Sequence, residues 1–234
     1  MMSEYIFSNW FKNTDAGKYI AKKERLFFQQ HLSFNKSSDI IQVGFKQLPI
    51  YEHSKEILAI QDITTLSKEH YCHAIDVLIL PHTIEYIDST EAFLKTAYQV
   101  LKPDGQIILT AFNPFSLWFV LKKLHQHPLP EKSRCFSLPH LKKIIYDTDF
   151  IIDSGQFMVY VPPLNHHSDF EKWRFMESAG NRWWPHGAAV YGLILKKNIL
   201  GMHLTGKVKY SSTAETHMTP SVAHSHIQQT NLYD

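Results

Sequence analysis

The stretch "AIDVLILPHTIEYIDSTEAFLKTAYQVLKPDGQIILTAFNPF", residues 74–115, decides how the chain is read. Ala74 to Leu80 is short and almost wholly apolar, the pattern of a strand buried on both faces of a parallel sheet. Asp88 and Glu91 then make the D-x-x-E form of a capping box, and Phe93, Leu94, Ala97, Val100 and Leu101 recur at helical spacing. The tetrapeptide at 102–105, "KPDG", has proline and glycine where a tight turn wants them. "QIILTAF" (106–112) follows as a second strand. Strand, helix and strand joined in this way predict a βαβ unit, parallel and with a right-handed crossover.

Working outward, Asn13, Thr14 and Asp15 can cap a helix running to about residue 32. Tyr19, Ile20, Leu26 and Phe27 give it an apolar stripe, and lysines such as Lys23 a solvated one. Asp39 to Phe45 reads as a buried strand, and residues 56–61 as another short strand ending before Asp62. On the other side, "FSLWFVLKKL" (115–124) is helical in spacing. A buried helix is the plainer reading of it, contact with a lipid surface the rival. Ser137 can cap a further helix with Pro139 in its first turn. Two more strands, at 150–161 and 188–197, are separated by an aromatic-rich insert. Beyond Thr205 the chain is rich in Ser, Thr, His and Gln and has no periodicity. Residues 1–204 are therefore expected to form one domain, and 205–234 a polar, disordered tail.

Composition narrows the function classes. A charged fraction of 20% beside 44% hydrophobic residues is that of an ordinary soluble domain. Acids and bases nearly balance at a net charge of +2, so no global field points to nucleic acid. Cys72 and Cys135 stand far apart, without the spacing of a disulfide framework or a zinc site, which suits a reducing, cytoplasmic location. No apolar run is long enough for a membrane span. His166, His167 and His186 have no cysteine or carboxylate at ligand spacing, so no metal is expected.

The segments "VLILPHTIEYI" (77–87), "VLKPDGQIILTAFNPFSLW" (100–118) and "NRWWPHGAAVYGLILKK" (181–197) carry a resemblance. Over residues 10–197 the sequence resembles the class I S-adenosylmethionine-dependent methyltransferases, and among them a bacterial group of small methyltransferase-type proteins. The resemblance implies a doubly wound, mostly parallel, Rossmann-like sheet of up to seven strands, the last antiparallel. It also implies S-adenosylmethionine at the carboxyl ends of the first and fourth strands, and methyl transfer to an acceptor, a small molecule or another partner. Gly44, Asp62 and Pro81 are then expected at the cofactor. His82 is expected as a general base with Glu85 beside it, its rival role being to cap the strand end. Phe112 is expected on the floor of the substrate pocket and Trp183 and Trp184 at its rim.

The sequence departs from that family in its first half. The usual acid followed by alternating glycines is here Gln42, Val43, Gly44, Phe45, Lys46 and Gln47, with a single glycine. The span from Gly44 to Asp62 is too short for two crossovers of roughly 10–12 residues each. The second strand and one helix are therefore expected to be missing, and with them the acid that holds the ribose. Asp62 reads equally as the acid near the adenine or as a turn residue. "NPF" at 113–115 is similar to the N-P-P-aromatic motif of amino-group methyltransferases but follows the fifth strand instead of the fourth, so Asn113 reads as the start of a turn. Two functions remain open: a methyltransferase, or a degenerate binding or scaffold protein on the same fold.

Overall fold

The computed structural model describes residues 2–32, 39–45, 54–59, 72–123, 134–164 and 167–199. In chain order the elements are α1 (Met2–Asn13), α2 (Asp15–Leu32), β1 (Ile40–Val43), β2 (Glu56–Leu58), β3 (Ile75–Pro81), a 3₁₀ turn (Thr83–Glu85), α3 (Thr90–Val100) and β4 (Leu101–Phe112). Then follow α4 (Leu117–Lys123), α5 (Leu138–Asp147), β5 (Phe150–Met158), α6 (His167–Lys172), α7 (Phe175–Trp183) and β6 (Val190–Lys197). The described residues all fall in one compact unit that ends at Leu200. The polar tail expected from residue 205 lies outside the described residues.

The strands form one six-stranded sheet in the order β2-β1-β3-β4-β6-β5. β1 pairs parallel with β2 and β3, and β3 parallel with β4. β6 runs antiparallel to both β4 and β5. The sheet is covered on both faces, as a mostly parallel sheet must be. On one face Leu78 and Leu80 of β3 pack with Phe93, Leu94, Leu141 and Ile145 of α3 and α5. On the other, Val77 and Ile79 pack with Phe7 and Phe11 of α1 and with Ile20, Phe27 and Phe28 of α2. The period-two alternation along β3 thus feeds two separate cores.

Local chemistry explains most of the elements. Thr14 starts α2, its Oγ1 accepting from the Gly17 amide at 2.9 Å. Ser137 caps α5, with Pro139 in the first turn where its missing N–H costs nothing. Three expectations are corrected. The cap of α3 is Ser89, whose hydroxyl accepts from Ala92 N at 3.1 Å; the capping box of Asp88 does not form, and Glu91 pairs instead with Lys95 at 2.6 Å. The "KPDG" segment lies within β4: Ile75 pairs with Leu101 and Val77 with Gln106, so residues 102–105 stand out between them as a bulge. Leu26 is 49% exposed, whereas Glu24 takes a place on the buried stripe of α2.

The first half also differs from expectation. β2 bonds directly to β1, with Ile41 opposite Glu56 and Val43 opposite Leu58, so it occupies the second-strand position. The chain between them is long enough for one crossover of roughly 10–12 residues, though not for two. The second strand is therefore kept. Among the described residues, the strand with no counterpart is the outermost one.

Candidate functional site

From β1 the sheet grows one way to β2 and the other way through β3 to β4, so strand order reverses between β1 and β3. In an open α/β sheet such a reversal leaves a crevice outside the carboxyl ends of the strands. Gly44 lies at this point with φ of 91°, backbone that a side chain disfavours. Its amide donates to Leu58 O at 2.7 Å, and the fully buried Gln42 donates through Nε2 to Gly44 O at 3.0 Å. Thr83 Oγ1 donates to Val43 O at 2.5 Å and ties the end of β3 to that of β1. Pro81 ends β3 opposite Thr110, and Phe112 ends β4.

His82 leaves β3 with a left-handed backbone, φ 51°, which turns the chain into the 3₁₀ segment. Its ring is 1% exposed and lies between two buried carboxylates. Nδ1 is 2.9 Å from Glu85 Oε1, which also accepts the Phe112 amide. Nε2 is 2.6 Å from Glu24 Oε1 on α2, an ion pair that is not aligned as a hydrogen bond. Burial by itself would strip the proton from the imidazole. The carboxylates of Glu24 and Glu85 outweigh it and lift the His82 pKa to about 10. Burial also pushes the Glu85 carboxyl upward, against the pull of His82 and the Phe112 amide.

Helix α1 closes this end of the sheet. The Phe7 ring lies 4.5 Å from Phe45, 5.2 Å from His82 and 4.9 Å from Tyr86, centroid to centroid. Phe11 lies 5.4 Å from His82, and Phe112 lies 4.2 Å from the imidazole, its ring tilted by 38°. A general base must reach the proton it removes. In this structure His82 is enclosed by these rings, and both its nitrogens face carboxylates.

Gly44, Pro81, His82 and Phe112 are thus brought to one end of the sheet. Asp62 lies outside the described residues. Trp183 and Trp184 are 72% and 45% exposed and touch none of these four through a ring contact among the described residues. The segment that follows Trp184 is held by Asn113, whose Nδ2 donates to His186 O at 2.6 Å and to Ala188 O at 2.9 Å. Beside it an open cleft of about 650 Å³ is lined by Ser89, Thr90, Phe115, Arg134, Phe136 and His140, among others, and by neither Gly44 nor His82.

Two members of this end were missed in the sequence. Glu24 was legible in principle, since it falls four residues after Ile20 and three before Phe27, a charge on an apolar stripe. The covering helix α1 left no comparable signal in the sequence reading, because its contribution is two phenylalanines whose partners lie far along the chain.

Residues 30–109 match the family model of a methyltransferase domain. No curated protein matches the chain. Among solved structures, it is similar to a SAM-dependent methyltransferase from Archaeoglobus fulgidus at 14% identity, covering 82% of this chain and 99% of that one, with a TM-score of 0.53. A SAM-dependent methyltransferase from Thermotoga maritima, described as a possible histamine N-methyltransferase, is similar at 13% identity over 83% and 99% of the two chains, with a TM-score of 0.51. A complex of the Haloferax volcanii Trm112 methyltransferase activator with a putative methyltransferase gives 10% identity, 82% and 98% coverage and a TM-score of 0.50. Residues 30–109 thus carry a match to a methyltransferase domain, and the six-stranded sheet with its antiparallel β6 has the fold of these methyltransferase structures.

Proposed function

We propose that the chain is an S-adenosylmethionine-dependent methyltransferase whose cofactor lies in the crevice at the carboxyl ends of β1 and β3. The observation that carries this reading is Gly44: a residue without Cβ, at positive φ, placed where strand order reverses. Such backbone can approach a ligand closely. Gln42 cannot supply the charge of the usual acid, and its amide is turned to the Gly44 carbonyl, so it shapes the loop. Because β2 keeps the second-strand position, Asp62, which follows it in sequence, is a candidate for the ribose hydroxyls in place of the adenine role first expected. Pro81 and Phe112 frame the crevice, and Trp183 and Trp184 serve as a substrate rim.

Bound S-adenosylmethionine supplies an electrophilic methyl group, and its transfer needs chiefly proximity and alignment. The chain's own part is to fix the Gly44 loop, exclude water through the rings around His82, and hold the two carboxylates by the imidazole between them. A second reading, a degenerate binding protein, is favoured by one observation: Phe7 and Phe11 fill the space above His82 and beside Phe45. Calorimetric titration with S-adenosylmethionine and S-adenosylhomocysteine separates the two. Binding that Gly44→Val abolishes supports the enzyme. Absence of binding at millimolar ligand, on the order of −4 kcal/mol, supports the degenerate protein.

A further inference from the structure

Three buried oxygens at the ends of β3 and β4 lack a hydrogen-bond partner: Glu85 Oε2, Tyr86 Oη and Thr110 Oγ1. Two further buried atoms, Glu24 Oε1 and His82 Nε2, meet only each other, as the 2.6 Å ion pair. The five belong together. Glu24 and Glu85 flank the His82 ring, Tyr86 is next to Glu85 in the chain, and the Thr110 carbonyl accepts the His82 amide at 3.0 Å. Native proteins leave few such atoms, and each costs on the order of 1–3 kcal/mol. Gathered at a crevice, they describe a ligand by what they lack. Glu85 is a carboxylate, which accepts and does not donate when ionised, and Glu24 across the ring is met by His82 alone. The missing partner therefore brings N–H donors, and an apolar stem to lie among the surrounding rings.

Phe7 shows where that partner would stand. Its ring touches Phe45, directly after the Gly44 loop, and also His82 and Tyr86. A molecule lying between the loop and the carboxylates must take the place that Phe7 and Phe11 now fill. Thr14 is the single residue that joins α1 to α2, and the two helices pack closely at Gly17, where an added Cβ would lie 2.5 Å from Trp10 O and 2.6 Å from Phe11 Cα.

We propose that Glu24, Glu85, Tyr86 and Thr110 form the binding site of an amine with an apolar stem, and that α1 is the cover it displaces. Benzylamine, protonated at pH 7.5, is the probe, and benzyl alcohol its uncharged match in shape. Both are titrated calorimetrically into the full-length chain and two variants that uncover the site by different routes. Gly17→Ala pushes α1 away without touching the site, and Phe7→Ala removes the ring. Benzylamine should bind both variants at least about tenfold more tightly than the wild type, and more tightly than benzyl alcohol does. Adding Glu24→Gln to Phe7→Ala should cost at least about tenfold of that affinity. Equal binding of the alcohol and the amine would reduce the site to an apolar hole and overturn the proposal. So would failure of benzylamine to bind either uncovered variant. S-adenosylhomocysteine titrated into the same samples keeps the two readings apart. If it binds while benzylamine does not, the amine site fails alone; if benzylamine binds and it does not, the site stands and the methyltransferase reading fails.

Discussion

Between about pH 6.5 and pH 10 the folded chain keeps a proton on His82 that the unfolded chain releases, because Glu24 and Glu85 hold the imidazolium against the cost of burying it. A folded-state pKa raised above the unfolded one contributes stability that is complete below the lower value and is lost as pH climbs to the upper one. One proton makes the slope at most about 1.4 kcal/mol per pH unit, or up to about 5 kcal/mol across the window. That is comparable with the whole stability of many domains. Glu85, whose pKa burial also raises, works in the same direction from its own ordinary value upward. Lys197, lowered by burial, works the other way, but only toward the alkaline end. Urea unfolding followed by tryptophan fluorescence at about pH 6.5, 8 and 9.5, at constant ionic strength, reads the effect directly. The wild-type midpoint should fall steadily. His82→Gln should start about 3–5 kcal/mol less stable, as expected when one partner of a buried ion pair is removed, and change far less over the same range. A wild-type midpoint that stays level from pH 6.5 to pH 9.5 would refute the assignment of an imidazolium between the carboxylates.

Three further outcomes can be checked by thermal melting. Gly192→Ala puts a Cβ 2.5 Å from the buried Phe27 ring and should cost about 1–3 kcal/mol, recovered in part by Phe27→Leu; an unchanged melting temperature would mean that α2 does not press on β6 there. Ser89→Ala should cost about 0.5–2 kcal/mol and Asp88→Ala almost nothing, since Ser89 holds the cap; the reverse order would restore the capping box read from the sequence. Gln42→Glu replaces a buried donor to the Gly44 carbonyl by an acceptor and should destabilise by about 1–3 kcal/mol at neutral pH, less below pH 5 where the carboxyl protonates; equal loss at both pH values would argue for a steric cause.

What the sequence determined was whatever depends on neighbours along the chain. The β3-α3-β4 unit, the Thr14 start of α2 and the Ser137 cap of α5 were legible because periodicity and capping act within a few residues, whereas the antiparallel last strand was implied by the resemblance alone. Gly44, Pro81, His82 and Phe112 could be named together because each ends, or directly follows, a strand, and topology gathers such ends. The position of β2 beside β1 was not legible, since loop length bounds a crossover but not which edge it reaches. Nor was the setting of His82. Its position in the chain marks it as a strand-end imidazole near a crevice, equally fit to be an open base or a locked one. Glu24 comes from a helix 58 residues upstream and Phe7 from one farther still, and no local pattern couples them to His82. Only tertiary packing brings the second carboxylate and the aromatic cover to the ring, and it is their charge and the loss of water around them that decide which proton the site keeps.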